Sequence, residues 1–226
     1  MEPSFCLYKT HHESGLGVFE LRIDSTGELL GVESQRQATS IVSTGHHIVI
    51  KQVAAPTAWL PAGMTVDTAI AWMLYLTKPN ALRERLCISF KLPGMAASIQ
   101  TGADTGEWLT AIGFEDGTRQ LHLGTQDEEY FAQYDKAAWM PSRLVPLLAS
   151  NKLLVTQVEV DELLTQVPEL FIGEGFYLHY ILAESPRRKS VQYPDDWDVA
   201  TWYAVEQNRS TLEAAWEEQQ NCLGPQ

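Results

Sequence analysis

Alternation between apolar and polar residues predicts that much of this chain forms β-strands. Residues 86–92 are the clearest example, because Leu, Ile, Phe and Leu alternate there with Cys, Ser and Lys. A period of two is the pattern of a strand with one buried face. Residues 176–182 are apolar on both faces, which is typical of a central strand. Strands are also predicted at residues 18–23, 28–33, 46–53, 107–114, 119–123 and 153–160.

Two turn sequences indicate how neighbouring strands pair. Asp116-Gly117 favours a type I′ turn, because glycine readily adopts the positive φ angles that this turn needs. A two-residue turn at this point places Ile112 opposite Leu121, with the apolar side chains of both strands on one face. The sequence Asp-Ser-Thr-Gly at residues 24–27 predicts a second turn, after which the chain returns as strand 28–33 beside strand 18–23.

Three helices are predicted from capping residues that precede apolar stripes. The threonine at position 65 can cap a helix over residues 66–78, which is apolar nearly all round and is expected to be buried. Residues 125–128 form a capping box that opens a helix to about residue 139. A final helix is predicted over about residues 195–220, where acidic residues begin the segment.

This order of elements predicts an α+β fold. It has a mainly antiparallel sheet built from hairpins and about three packed helices, the last at the C-terminus. The chain of 226 residues is long enough to bury a core of its own. We expect a single domain over residues 1–226, with residues 79–106 as the alternative place for a boundary.

The charge balance limits the classes of partner. The chain has 16 Lys and Arg against 29 Asp and Glu, a formal net charge of −13. Nucleic-acid binding depends on Lys and Arg that displace counterions from phosphates, so neither nucleic acid nor an anionic membrane is an expected partner. Solubility explains such a charge, and so does docking onto a basic protein.

The cysteines and the apolar runs bear on the compartment. Cys6, Cys87 and Cys222 are three widely spaced cysteines, which do not form a disulfide framework or a zinc motif. The first six residues lack the basic start and apolar run of a signal peptide. The longest apolar stretch, residues 69–76, is far shorter than a membrane span of about 20 residues. A cytoplasmic location is therefore expected.

No metal or cofactor is predicted. His11-His12 and His46-His47 are pairs of neighbours, and neighbouring side chains on a strand point to opposite faces, so one ion cannot easily bind both members of a pair. The glycine pairs at residues 15–17 and 173–175 lack the third glycine and the following helix of a dinucleotide-binding motif.

Catalytic signatures are also missing from the sequence, which contains no Gly-x-Ser-x-Gly elbow and no Ser-x-x-Lys. If the protein is an enzyme or binds a small ligand, its site is assembled from distant residues. His46, His122, His179 and Cys87 are the candidates for such a site.

Two charged segments are candidate binding surfaces. Arg187-Arg188-Lys189 is a solvated loop, a phosphate or carboxylate clamp, or the recognition sequence of a kinase acting on Ser190. The segment from residue 195 to 226 has seven acidic residues and one Arg. The residues assigned to partner binding are Asp195, Asp196, Asp198 and Trp202.

Two functions follow as hypotheses. The first is a non-enzymatic protein-binding module, of the inhibitor, immunity or adaptor type, whose acidic segment and aromatic stripe dock onto a basic partner. The second is an enzyme or small-ligand-binding protein. A flat acidic face favours the first function, and a deep pocket with converging polar groups favours the second.

Overall fold

Two antiparallel sheets account for most of the computed structural model, which describes residues 4–106, 108–134, 139–150, 152–191 and 195–222. The strands in chain order are β1 (Phe5–Ser14), β2 (Gly17–Ser25), β3 (Leu29–Gln35), β4 (Ala38–Ser43), β5 (His47–Ala54), β6 (Thr68–Thr77), β7 (Leu86–Lys91), β8 (Gln100–Ala103), β9 (Leu109–Glu115), β10 (Arg119–Gln126), β11 (Thr156–Val158), β12 (Glu162–Gln166) and β13 (Gly175–Pro186). The helices are α1 (Glu128–Tyr134), α2 (Val145–Ala149), α3 (Ala200–Val205) and α4 (Arg209–Cys222).

The small sheet has the strand order β1-β2-β7-β12-β11, and the large sheet has the order β3-β4-β5-β6-β13-β10-β9-β8. The predicted sheet-rich, mainly antiparallel α+β class with a C-terminal helix is confirmed. The expectation of about three helices is replaced by four short ones in the described part of the chain. None of these described helices is long and apolar enough to cross a membrane.

Strands β6 and β13 separate two apolar cores. On β6, Trp72 and Leu74 belong to the core between the two sheets, whereas Met73 and Tyr75 belong to the core under α3 and α4. Alternate residues of β13 divide in the same way. The core between the sheets includes the ring of Phe90, which has edge-to-face contacts with three aromatic neighbours at centroid distances of 4.9 to 6.3 Å.

The predicted helix over residues 66–78 is wrong, since this segment is strand β6. Its expected burial is correct, but both faces of the strand are covered, one by the small sheet and one by helices. A strand that is apolar on both faces has no period of two, so its pattern resembles that of a buried helix. The predicted central strand over residues 176–182 is confirmed as part of β13.

The two predicted hairpins need correction. Strands β2 and β3 do not pair: β2 lies between β1 and β7, whereas β3 pairs with β4 in the other sheet. Strands β9 and β10 do form a hairpin, but Leu121 lies opposite Phe114 and not opposite Ile112. The observed register differs from the predicted one by two residues. Because side chains alternate between faces with a period of two, each side chain still lies on its predicted face of the sheet. Gly117 has the expected positive φ, at 89°.

The other two predicted helices start and end differently. Helix α1 begins at Glu128, because Thr125 and Gln126 still belong to β10. Its first turn is capped by Asp127, which accepts a hydrogen bond from the Tyr130 N–H at 2.7 Å. Residues 135–138 of the predicted helix lie outside the described residues, and Trp139 is in a turn. The C-terminal helix is in fact two helices, α3 and α4.

Helix α3 packs closely onto the large sheet at Gly124 of β10. A Cβ atom at this position would lie 2.9 Å from the Leu109 side chain and 3.0 Å from that of Val205. Glycine therefore allows the end of α3 to approach the sheet. This close approach forms one wall of the cavity described next.

Candidate functional site

A cavity of about 280 Å³ lies where the ends of β9 and β10 and the middle of β13 meet the corner between α3 and α4. Trp108 and Tyr130 line it with aromatic rings, and Val205 adds an aliphatic surface. Asn208 at the α3–α4 corner is exposed to solvent. The cavity is thus built from five separate elements, three of which are strands of one rigid sheet.

Two glutamines supply the unusual chemistry of this cavity. Gln126 is 2 % exposed, and both atoms of its side-chain amide lack a hydrogen-bond partner among the described residues. Gln207 donates from Nε2 to the carbonyl oxygens of Pro56 at 3.1 Å and Ala204 at 2.7 Å. Its Oε1 accepts no bond within the described part of the chain. Buried polar groups are nearly always satisfied in proteins, so three unsatisfied atoms on residues that line this cavity single it out as the candidate site.

His179, a candidate from the sequence, also lines this cavity. It is 1 % exposed, and its Nδ1 lies 3.1 Å from the hydroxyl oxygen of Tyr177. Burial lowers the pKa of His179 to about 3, although a hydrogen bond with the Gln207 backbone acts in the opposite direction. The imidazole is therefore neutral at pH 7 and adds no charge to the cavity.

Next to the cavity, Asp127 has an altered acidity. Burial, together with the negative charges of Glu128 and Glu129, raises the pKa of this carboxyl to about 6, against hydrogen bonds from the helix backbone. The carboxyl caps α1 and so holds the end of β10 against that helix. Its role in the site is therefore positional.

His46 lies in a second polar cluster, centred on the carboxylate of Glu84. Glu84 accepts hydrogen bonds from the hydroxyls of Ser25 and Ser43, from the Gly45 N–H at 2.5 Å and from His46 Nδ1 at 3.1 Å. Burial opposes ionisation, but the bonds from His46, Ser25 and Ser43 outweigh it and lower the Glu84 pKa to about 2. The Glu84 side chain is fully buried, so the cluster joins the ends of both sheets and has no access for a substrate.

His122 stands between a carboxylate and a hydroxyl, an arrangement that resembles a catalytic triad. Its Nε2 lies 3.0 Å from Asp104 Oδ2, and its Nδ1 lies 2.8 Å from Thr201 Oγ1. Thr201 is fully buried in α3, so its hydroxyl cannot attack a substrate. The three side chains instead connect α3 to strand β10.

Cys87 is the remaining candidate nucleophile, on strand β7. Burial, followed by the nearby charges of Asp24 and Glu162, raises the pKa of its thiol. A thiol that stays protonated is a poor nucleophile. Among the described residues, no three His, Cys, Asp or Glu side chains converge in a way that could hold a metal ion.

The acidic and basic segments near the C-terminus bind each other. Arg188 donates to Asp198 at 2.6 Å, and Asp198 accepts from the Ala200 N–H at 2.8 Å. The side chains of Arg187 and Lys189 lie over the ring of Trp197, at 4.0 and 4.2 Å from its centroid. These contacts hold the two segments together and use much of the basic cluster internally.

Of the four residues assigned to partner binding, Asp195 and Asp196 are exposed to solvent. Asp198 is 3 % exposed, and Trp202 is half-buried against the core under the helices. The structure therefore brings two of the four to the surface. Docking onto a basic partner stays a hypothesis for Asp195 and Asp196.

The structure combines a sheet-rich α+β fold with a cavity between the large sheet and helix α3. No known family model matches the chain, and no curated protein sequence matches it. Sequence reasoning missed Gln126 and Gln207, because it assigned Gln126 only to a helix capping box and placed Gln207 inside one continuous C-terminal helix. His179 alone among the sequence candidates lies in the cavity.

Proposed function

We propose that the protein binds a small uncharged polar molecule in the cavity lined by Gln126, Gln207 and His179. The observation that carries this proposal is the side-chain amide of Gln126, which is buried and has no partner in the described part of the chain. Leaving such a group unsatisfied costs about 1–3 kcal/mol. A ligand that hydrogen-bonds to it recovers that free energy.

The size and chemistry of the cavity restrict the ligand. A volume of about 280 Å³ equals that of roughly nine water molecules, hence about nine non-hydrogen atoms. The amide of Gln126 offers donors and an acceptor side by side, which suits an amide or a heterocyclic edge that offers the reverse. Trp108 and Tyr130 favour a flat apolar body. A neutral aromatic amide or heterocycle combines these properties.

Binding is favoured over catalysis by the state of the polar groups. A histidine with a pKa of about 3 is a weak general base at neutral pH. The hydroxyl of Thr125 donates to the His179 carbonyl oxygen at 2.6 Å, so the proton of this hydroxyl is already used in a bond within the protein. Neither group is therefore prepared to transfer a proton to or from a ligand.

A comparison of benzamide, benzoate and toluene tests the proposal, because the three molecules share a ring and differ in their polar group. Binding is measured from chemical-shift changes of the Trp108 indole in NMR titrations. We expect benzamide to bind with a Kd of about 1 mM, as small fragments do. Benzoate and toluene should bind at least tenfold more weakly, since burial of an unpaired charge is unfavourable and toluene leaves Gln126 unsatisfied.

The Gln126→Met variant identifies the group responsible. It keeps the approximate volume of the side chain and removes the amide, so benzamide should lose about tenfold in affinity, equivalent to the loss of about 1.4 kcal/mol. Toluene should bind the variant at least as well as it binds wild type. Equal benzamide affinity for both proteins, or no shift of the Trp108 signal by benzamide, would contradict the proposal.

A further inference from the structure

An open groove of about 780 Å³ lies between the β6–β7 connection and the β12–β13 connection, and it shares no lining residue with the cavity. Four of its lining residues are large apolar side chains that are more than half exposed. They are Leu82 (56 %), Leu154 (58 %), Phe171 (55 %) and Ile172 (63 %). Grouped exposure of this kind marks surfaces that bind other molecules.

The groove wall formed by Phe171 and Ile172 is a rigid turn. The Phe171 N–H donates to Glu174 Oε2 at 2.7 Å, and its carbonyl oxygen accepts from the Glu174 N–H at 2.9 Å. Arg143 lies 3.8 Å above the Phe171 ring and also pairs with Glu174 at 2.7 Å. The backbone of this turn and the Phe171 ring are therefore held in place before anything binds, which lowers the entropy cost of binding.

The opposite wall is also fixed by internal bonds. The Leu82 N–H donates to Asn80 Oδ1 at 3.0 Å, and the Leu82 carbonyl oxygen accepts a bond from the ammonium group of Lys78. The side-chain amide of Asn80 donates to the Thr44 carbonyl oxygen at 2.8 Å. Both walls are thus preformed, and Lys78 is occupied in holding one of them.

Two arginines give the groove a charge opposite to that of the whole chain. Arg83 and Arg85 are exposed, and neither guanidinium has an ion-pair or hydrogen-bond partner among the described residues. Glu84 between them is buried in its own cluster. Arg83 and Arg85 lie just before β7, and the alternation of exposed and buried residues continues through Glu84 into that strand, so both arginine side chains face outward on the same side. Glu169 is the exposed acidic residue of the groove.

We propose that this groove binds an extended peptide segment of a partner protein, in which carboxylates two residues apart pair with Arg83 and Arg85. The apolar side chains of that segment contact Leu82, Phe171 and Ile172. A peptide suits this arrangement, because alternate side chains of an extended segment also share one side of the backbone, about 6.6 Å apart. The partner of this groove is thus acidic, whereas the net charge of −13 favours a basic partner for the chain as a whole.

A short fluorescein-labelled peptide of alternating Glu and Leu is the probe, and fluorescence anisotropy is the measurement. We expect a Kd below about 1 mM for wild type, with affinity falling as salt is raised. Arg83→Glu and Arg85→Glu should each weaken binding about fivefold or more, because each reverses one contact charge. The matched control is Arg36→Glu, an exposed arginine in the turn between β3 and β4, which should change affinity less than twofold.

Two further peptides separate the contributions of charge and apolar contact. Replacing Glu by Lys, or Leu by Ser, in the probe should abolish measurable binding. The proposal is overturned if wild type does not bind the probe, if the Lys peptide binds equally, or if both arginine variants bind like Arg36→Glu. Arginine-dependent binding to phosphatidylserine vesicles without binding to the probe also overturns it, in favour of a lipid surface. Gln126→Met should leave probe binding unchanged, so the groove and the cavity are tested separately.

Discussion

Replacing Gln126 by Met should stabilise the protein in the absence of ligand. The wild-type amide is 2 % exposed and has no described partner, and an unsatisfied buried amide costs about 1–3 kcal/mol. Water in the cavity recovers part of that cost, so we expect a gain of about 1 kcal/mol. For a chain of 226 residues this corresponds to a rise in Tm of about 2–4 °C.

Gln120 provides the matched control, since it is a second buried glutamine on strand β10. It is 8 % exposed, and its Nε2 donates to Ser185 Oγ at 3.2 Å. Gln120→Met removes that hydrogen bond and should lower the free energy of unfolding by about 1 kcal/mol. The same substitution on the same strand should therefore have opposite signs at the two positions.

The assay is thermal and urea unfolding of wild type and both variants, with and without benzamide. Benzamide should raise the Tm of wild type and of Gln120→Met, and should leave that of Gln126→Met nearly unchanged. If Gln126→Met is destabilised as much as Gln120→Met, the amide of Gln126 is satisfied in the folded protein. The reasoning that assigns a ligand to the cavity would then be refuted.

Four other variants test separate parts of the structure. Glu84→Gln should lower the free energy of unfolding at pH 7 by on the order of 3 kcal/mol. Because the folded pKa of Glu84 is about 2 and its ordinary value is 4.5, the stabilisation by the Glu84 carboxylate is complete above pH 4.5 and is lost towards pH 2. Measuring unfolding across an acid titration checks both statements. Asp127→Asn keeps the helix cap and should raise the free energy of unfolding at pH 7 by about 1 kcal/mol, after allowance for solvent access. The folded pKa of Asp127 is raised from 3.8 to about 6, so the charged carboxylate destabilises the folded protein only above that range. The gain measured by urea unfolding should therefore vanish as the pH falls from 6 to below 4. Gly117→Val should lower the free energy of unfolding by about 1–2 kcal/mol, because φ is 89° there. The urea midpoint should fall accordingly, and an unchanged midpoint would contradict this. Replacing Asp195 and Asp196 by Asn should slow association with a basic partner, once one is known, and leave dissociation nearly unchanged. Surface-based kinetics at two ionic strengths measure both rates. An unchanged association rate at low salt would remove the docking hypothesis.

The sequence predicts strands well where the covering of the strand matches a local pattern. Residues 86–92 alternate because Cys87 and Lys91 remain partly exposed while the apolar positions are buried, and β7 was found there. The sequence misassigned residues 66–78, because the helices that cover the second face of β6 come more than 120 residues later. Pairing partners were equally hard to predict, since a turn signal at residues 24–27 does not reveal that β1 and β7 flank β2.

The cavity could not be predicted from the sequence, for a related reason. Whether Gln126 is satisfied depends on the α3–α4 corner, about 80 residues further along the chain. The acidic segment illustrates the same limit, because Asp198 reads as surface charge but is paired with Arg188 in the folded protein. Local patterns describe what a side chain can do, whereas its partners are set by contacts distant in sequence.

The position of β13 has a consequence for synthesis of the protein on the ribosome. This strand is inserted between β6 and β10, and both of those neighbours precede it in the chain. Until residue 186 has left the exit tunnel, the large sheet is divided into a β3–β6 part and a β8–β10 part, each with an open, apolar edge. Unpaired edges of this kind recruit other chains. Nascent chains that end before β13 should therefore need chaperones, and the release of this one strand should mark the point at which they no longer do.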